Sequence, residues 1–164
     1  MDRTLLQSFA DSIAQARGEQ SLTTQQVLHD ANLKKTVGPK LYATLAEELS
    51  SSVNFFRQAL LAHGCQNDLE LKFNEREIEI RSSANPFVKF FLASQDYEGV
   101  FYGYYSAGPG SKPSTKNDQK IEIKLRIQPD QSVLFCFKER PYTSEEMAEL
   151  IMSILFKPSC STVL

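Results

Sequence analysis

Hydrophobic positions along this chain follow two different periods. From residue 3 to residue 63 they recur every three to four residues: Leu6, Phe9, Ile13 and Ala16 with Leu5 beside them, then Val27, Leu28, Ala31 and Leu33, then Leu41, Leu45, Leu49, Val53, Phe56 and Leu60. That spacing places apolar side chains on one helix face. The punctuation within the run predicts three helices. The first spans Arg3 to Arg17 and stops at Gly18, a residue free to adopt the left-handed conformation. The second opens at a capping-box pattern, Thr23 followed by Gln26. The third starts at Pro39, after Gly38, and closes at Gly64. At 1.5 Å per residue this third helix would be on the order of 37 Å long, with Ser50, Ser51 and Ser52 its weakest turn because serine competes for backbone hydrogen bonds.

Near Asp68 the period changes to 2. Leu69, Leu71 and Phe73 alternate with Glu70 and Lys72, and Ile78 and Ile80 alternate with Glu77 and Glu79. A two-residue turn at Asn74 and Glu75 would set Leu71 opposite Ile78 and Leu69 opposite Ile80, with the apolar residues on one face. Asn85 and Pro86 precede a third strand, PFVKFFLAS, and the polar stretch from Ser94 to Gly99 leads to a fourth, VFYGYYS. Residues 107–119, rich in Gly, Pro, Ser and Lys, read as a surface loop. The fifth strand is the clearest, with Ile121, Ile123, Leu125 and Ile127 inward and Glu122, Lys124 and Arg126 outward; Pro129 and Asp130 turn it into the sixth, SVLFCF. Thr143 and Glu146 form a second capping box, ahead of a helix with Met147, Leu150, Ile151, Ile154 and Leu155 on one stripe and Pro158 at its end. Strands do not alternate with helices as a parallel sheet requires. The expected fold is therefore α+β: three N-terminal helices, a six-stranded antiparallel meander and one C-terminal helix. It forms a single domain over residues 1–164, helical in 1–64, sheet in 65–140, a closing helix in 141–157 and a tail in 158–164.

Composition adds boundaries to that outline. At 164 residues, with 41% hydrophobic and 23% charged residues, the chain can bury a core of its own without staples. A net charge of −2 gives no general attraction to nucleic acid or acidic membranes. Three cysteines, Cys65, Cys136 and Cys160, are odd in number and widely spaced, so reduced thiols are expected. The amino terminus reads as an amphipathic helix rather than a signal peptide, and no run of about 18 apolar residues occurs. The expected location is the reducing cytoplasm, with no membrane partner.

Gly103 to Gly108 matches the start of a phosphate-cradling loop, but Pro109 and Gly110 stand where Lys and Ser or Thr are needed. Glu98 to Tyr105 has the aromatic spacing of RNA-binding strands, yet Glu98 replaces the basic residue and bulky Phe101 replaces a small one. His63 and Cys65 lie at a helix exit, where His63 is better explained as a cation at the helix C-terminus than as a base for a thiolate. Two histidines and unpaired cysteines provide no zinc ligand set. Glu70, Glu77, Glu79 and Glu122 alternate with Lys and Arg as outward charge ladders, and Glu145 and Glu146 suit a helix's first turn. Thr162, Val163 and Leu164 fit a chain-end recognition pattern, but such tripeptides arise often by chance and these read as a frayed tail after Pro158. No catalytic residue, metal or cofactor is assigned.

One surface differs in composition. If the third and fourth strands pair with Leu92 opposite Phe101, Phe90 opposite Gly103 and Val88 opposite Tyr105, those residues form a core face with Phe90 over the glycine. The reverse face then carries Lys89, Phe91, Tyr102 and Tyr104, aromatics with one cation, a composition favoured at binding hot spots. The alternative is that the first or second helix covers this face as ordinary core. The functional expectation is a non-enzymatic protein–protein interaction module of adaptor, chaperone or inhibitor type, which binds a protein partner or a second copy through this face or the long helix. The alternative function is a small-molecule or lipid carrier with a pocket between sheet and long helix.

Overall fold

A computed structural model describes residues 3–83, 87–94, 99–108 and 118–160, the side chains of 158–160 excepted. The architecture is α+β: one long N-terminal helix, a seven-stranded antiparallel meander and one C-terminal helix. Helix α1 spans Arg3–Ala62, where the punctuation predicts three helices. Its side-chain bonds are those of a helix interior. The Thr23 and Thr24 hydroxyls do not cap a new helix; they donate to the Glu19 and Gln20 carbonyls one turn back. Gln7 to Asp11 and Gln26 to Asp30 add i, i+4 side-chain bonds along the same segment. Gly18 is held within the helix, Pro39 is tolerated beside the buried Gly38, and the three serines at 50–52 remain helical.

The chain divides into two compact units, Met1–Leu33 and Lys34–Leu164. In the first, the helix shows Leu5, Leu6, Phe9, Ile13, Leu22, Val27 and Leu28 to solvent, each between 47% and 67% exposed. In the second, residues 34–62 of α1 bury Gly38, Tyr42, Leu45, Ala46, Leu49 and Val53 on one stripe.

The sheet runs β1 (Glu70–Phe73), β2 (Glu77–Ser82), β3 (Phe87–Ser94), β4 (Val100–Gly108), β5 (Gln119–Ile127), β6 (Val133–Phe137) and β7 (Arg140–Tyr142), each paired antiparallel with the next. β7 makes the sheet seven-stranded rather than six-stranded. It is three residues long, contains Pro141 and follows a turn in which Lys138 and Glu139 both take positive φ, 49° and 65°. Such a turn normally announces itself with Asn or Gly, and here neither is present.

Two registers also differ from the sequence expectation, each by two residues, which leaves the faces intact. Phe73 pairs with Ile78 and Leu71 with Ile80, because Asn74 closes the hairpin instead of turning it. Its N–H donates to the Glu77 carbonyl, and its side-chain oxygen accepts from the Arg76 and Glu77 amides. In β3–β4, Phe90 pairs with Tyr105 and Leu92 with Gly103, so Leu92 rather than Phe90 lies across from the glycine. Of the loop expected at 107–119, Ala107 and Gly108 extend β4 and Gln119 opens β5, while 109–117 lie outside the described residues. Asn85, Pro86, the interior of the Ser94–Gly99 stretch (95–98) and the Thr162–Leu164 end also lie outside them.

Helix α2 (Ser144–Cys160) starts with the expected capping box: Glu146 N–H donates to Thr143 Oγ1, and Thr143 N–H donates to the Glu146 carboxylate. The helix runs past Pro158, beyond the expected end. Met147, Ala148, Ile151, Leu155 and Phe156 are buried. Together with the 34–62 half of α1 this helix covers one face of the sheet. Tyr42 stacks on Phe101, its hydroxyl donates to the Asn74 carbonyl, and Phe56 meets Phe156. The sheet contributes Ile78, Ile80, Val88, Phe90, Leu92, Phe101, Ile123, Leu125 and Phe135 to this core. Each such side chain favours the folded state by about 1.5–3 kcal/mol relative to an exposed one.

Candidate functional site

Period-2 geometry sends every second residue of β3, β4 and β5 to the face opposite the helices. Cross-strand pairing places them in rows: Glu77, Ala93, Tyr102 and Glu122 in one; Glu79, Phe91, Tyr104 and Lys120 in the next; Arg81, Lys89 and Ser106 beyond. Lys89, Phe91, Tyr102 and Tyr104, singled out from the sequence, therefore share one face as expected.

Three of them form a connected cluster. The Phe91 and Tyr104 rings stack with centroids 5.4 Å apart at 23°. Lys89 Nζ lies 4.9 Å from the Tyr104 centroid and 3.1 Å from Asp118 Oδ2. The ammonium thus meets the negative face of a ring on one side and a carboxylate on another, two attractions that add. Tyr102 stands apart in the neighbouring row and is 48% exposed. Between these rings and β5 lies an open groove of about 920 Å³, lined by Phe91, Ala93, Tyr102, Tyr104, Asp118, Lys120 and Glu122 among others.

Asp118, Lys120 and Glu122 are absent from the residues chosen by sequence. Glu122 and Lys120 become visible once β4 and β5 are put in register, since Tyr102 pairs with Glu122 and Tyr104 with Lys120. Asp118 falls in a stretch that reads as loop, and nothing local marks it as the partner of Lys89. Its Oδ1 is buried and has no hydrogen-bond partner among the described residues.

The other candidates show local chemistry only. Gly103 to Gly108 is β4 strand, not a phosphate loop. Cys65 is exposed, and its Sγ lies 4.0 Å from the His63 carbonyl, a backbone contact that does nothing to activate a thiol. Cys136 is a half-buried free thiol. Glu70, Glu79 and Glu122 pair along their own strands with Lys72, Arg81 and Lys124, exposed contacts worth about 0–1 kcal/mol each. At the β5–β6 turn the Ser132 hydroxyl and backbone amide hold the Asp130 carboxyl below the ordinary aspartate range. Among the described residues no group of three His, Cys, Asp or Glu could hold a metal, and no helix is long and apolar enough to cross a membrane. No family model, curated protein or solved structure matches this chain.

Proposed function

We propose that this protein is a non-enzymatic interaction module, of adaptor, chaperone or inhibitor type, that receives a segment of a partner protein on the aromatic face of β3, β4 and β5. The observation that carries this reading is the groove itself. Phe91 and Tyr104 are already stacked, Lys89 is anchored by Asp118, and Tyr102 projects into solvent beside them. A ligand that packs on these rings need not order them first, and preordered aromatic anchors are where binding energy concentrates. Main-chain bonds along β3, β4 and β5 are satisfied within the sheet, so recognition here rests on side chains.

The carrier alternative requires room between the sheet and the long helix. That layer holds Tyr42, Leu45, Leu49, Phe90 and Phe101, all buried, which favours the interaction module.

A peptide-display selection on the whole chain tests the proposal. Sequences enriched on the native protein should lose at least roughly tenfold in affinity for Phe91→Ser/Tyr102→Ser, the step expected when an interface anchor is truncated. Circular dichroism of that variant should match the parent and its melting should stay cooperative with a modestly lower midpoint, because neither residue belongs to the helix-covered core and the loss is the Phe91–Tyr104 stack, about 0.5–1.5 kcal/mol. Equal affinity for the parent and a folded variant would remove this face from consideration.

A further inference from the structure

We propose that β1 is the seam of a two-fold homodimer, in which β1 of one copy pairs antiparallel with β1 of a second copy and continues the sheet across the interface. β1 ends the sheet: β2 flanks it on one side, and no strand among the described residues flanks it on the other. Asn74 N–H donates to the Glu77 carbonyl, so even-numbered backbone groups of β1 face β2. By alternation the amides and carbonyls of Leu71 and Phe73 face outward.

The strand is complementary to itself in one register. With Leu71 opposite the partner's Leu71, Glu70 faces the partner's Lys72, Lys72 faces the partner's Glu70, and Phe73 faces the partner's Leu69. Opposite charges then meet on one face and apolar side chains on the other. A shift by two residues in either direction sets Glu70 against the partner's Glu70, or Lys72 against the partner's Lys72. A shift by one residue brings mismatched faces together. In the favoured register Leu71 N–H donates to the partner's Leu71 carbonyl, reciprocated through the two-fold axis, while Leu69, 1% exposed, is already covered within its own chain. Leu69 N–H is already given to Asn67 Oδ1 at 2.7 Å, which ends the ladder there.

Phe73, 50% exposed, would gain cover at this seam. Glu70 and Lys72 side chains are 60% and 72% exposed, and their mutual contact of 3.7 Å runs along the strand, so both are free to turn to the partner.

Sedimentation equilibrium of the full chain, up to millimolar concentration, reads the result directly. The expected mass rises from 18.5 kDa toward twice that value. Glu70→Lys and Lys72→Glu should each weaken the dimer by roughly tenfold, since each sets like charges opposite one another twice. The double variant E70K/K72E should restore it. Leu71→Pro, which removes an outward N–H, should abolish it, while Tyr102→Ser should leave it unchanged. A chain that stays at 18.5 kDa throughout, or a dimer indifferent to the charge swaps, overturns the proposal.

Discussion

Gly103, between Tyr102 and Tyr104, sets how closely the β3 and β4 backbones approach. A Cβ placed there would stand 1.8 Å from the Phe91 carbonyl oxygen and 2.9 Å from its carbon. Those atoms are backbone, so no rotamer change relieves the contact. Gly103→Ala should therefore push the two strands apart, separate Phe91 from Tyr104 and cost about 3 kcal/mol, the upper range for forcing extra atoms into a packed site. Chemical denaturation measures that loss, and an unchanged midpoint would show that the strands are not this close. The same neighbourhood shows what single residues reveal before the fold is known. The face of Lys89, Phe91, Tyr102 and Tyr104 is legible because alternation preserves it in every register that keeps the apolar faces together, the two-residue shift seen here included. Their partners are not, since Asp118 and Lys120 reach the groove only through pairing, and pairing depends on turns. The role of Asn74 as a closing residue moved one hairpin by two positions, and no apolar pattern could have detected that shift.

At the scale of elements, strands were easier to read than helix ends. β5 shows strict alternation over Ile121, Ile123 and Leu125, and α2 carries its capping box in plain sequence. The punctuation divides α1 because Gly18, Thr23 and Gly38–Pro39 are residues that usually stop helices. Each has a use inside one: threonine can bond back to the preceding turn, and glycine merely costs stability. β7 was missed for the opposite reason, a tight turn made without the residues that usually signal it. Gly18 separates the two readings of α1 by experiment. Nothing lies within 4 Å of a Cβ added there, and its φ is not in the left-handed range. As an interior helical residue, Gly18→Ala should stabilise the segment by up to about 1 kcal/mol, seen as slower amide exchange from residue 15 to residue 22. If Gly18 instead ended a helix in the left-handed conformation, alanine would accelerate exchange, and the single-helix description would fail.

Over the whole sheet, one face packs against α2 and residues 34–62 of α1, and the other carries the rings of Phe91, Tyr102 and Tyr104. Pairing two β1 strands about an axis perpendicular to the sheet keeps both aromatic faces on the same side. β4 lies three strands in from the seam, so the two β4 strands would stand seven strand spacings apart, on the order of 34 Å at about 4.8 Å per spacing. A flexible Gly/Ser linker needs roughly 40 residues for its root-mean-square span to match that separation. Two copies of a groove-binding peptide joined by such a linker should bind the native protein at least tenfold tighter than one copy, because the second binding event becomes intramolecular. A linker of about five residues, which reaches no more than roughly 18 Å, should give no gain. Calorimetry at concentrations where the native chain is dimeric, repeated with Leu71→Pro, isolates the cause. The single peptide should bind both proteins alike, and the advantage of the long tandem should vanish with the seam. If the advantage survives in a monomeric Leu71→Pro protein, the second peptide is held elsewhere on the same chain, and the two grooves do not act together.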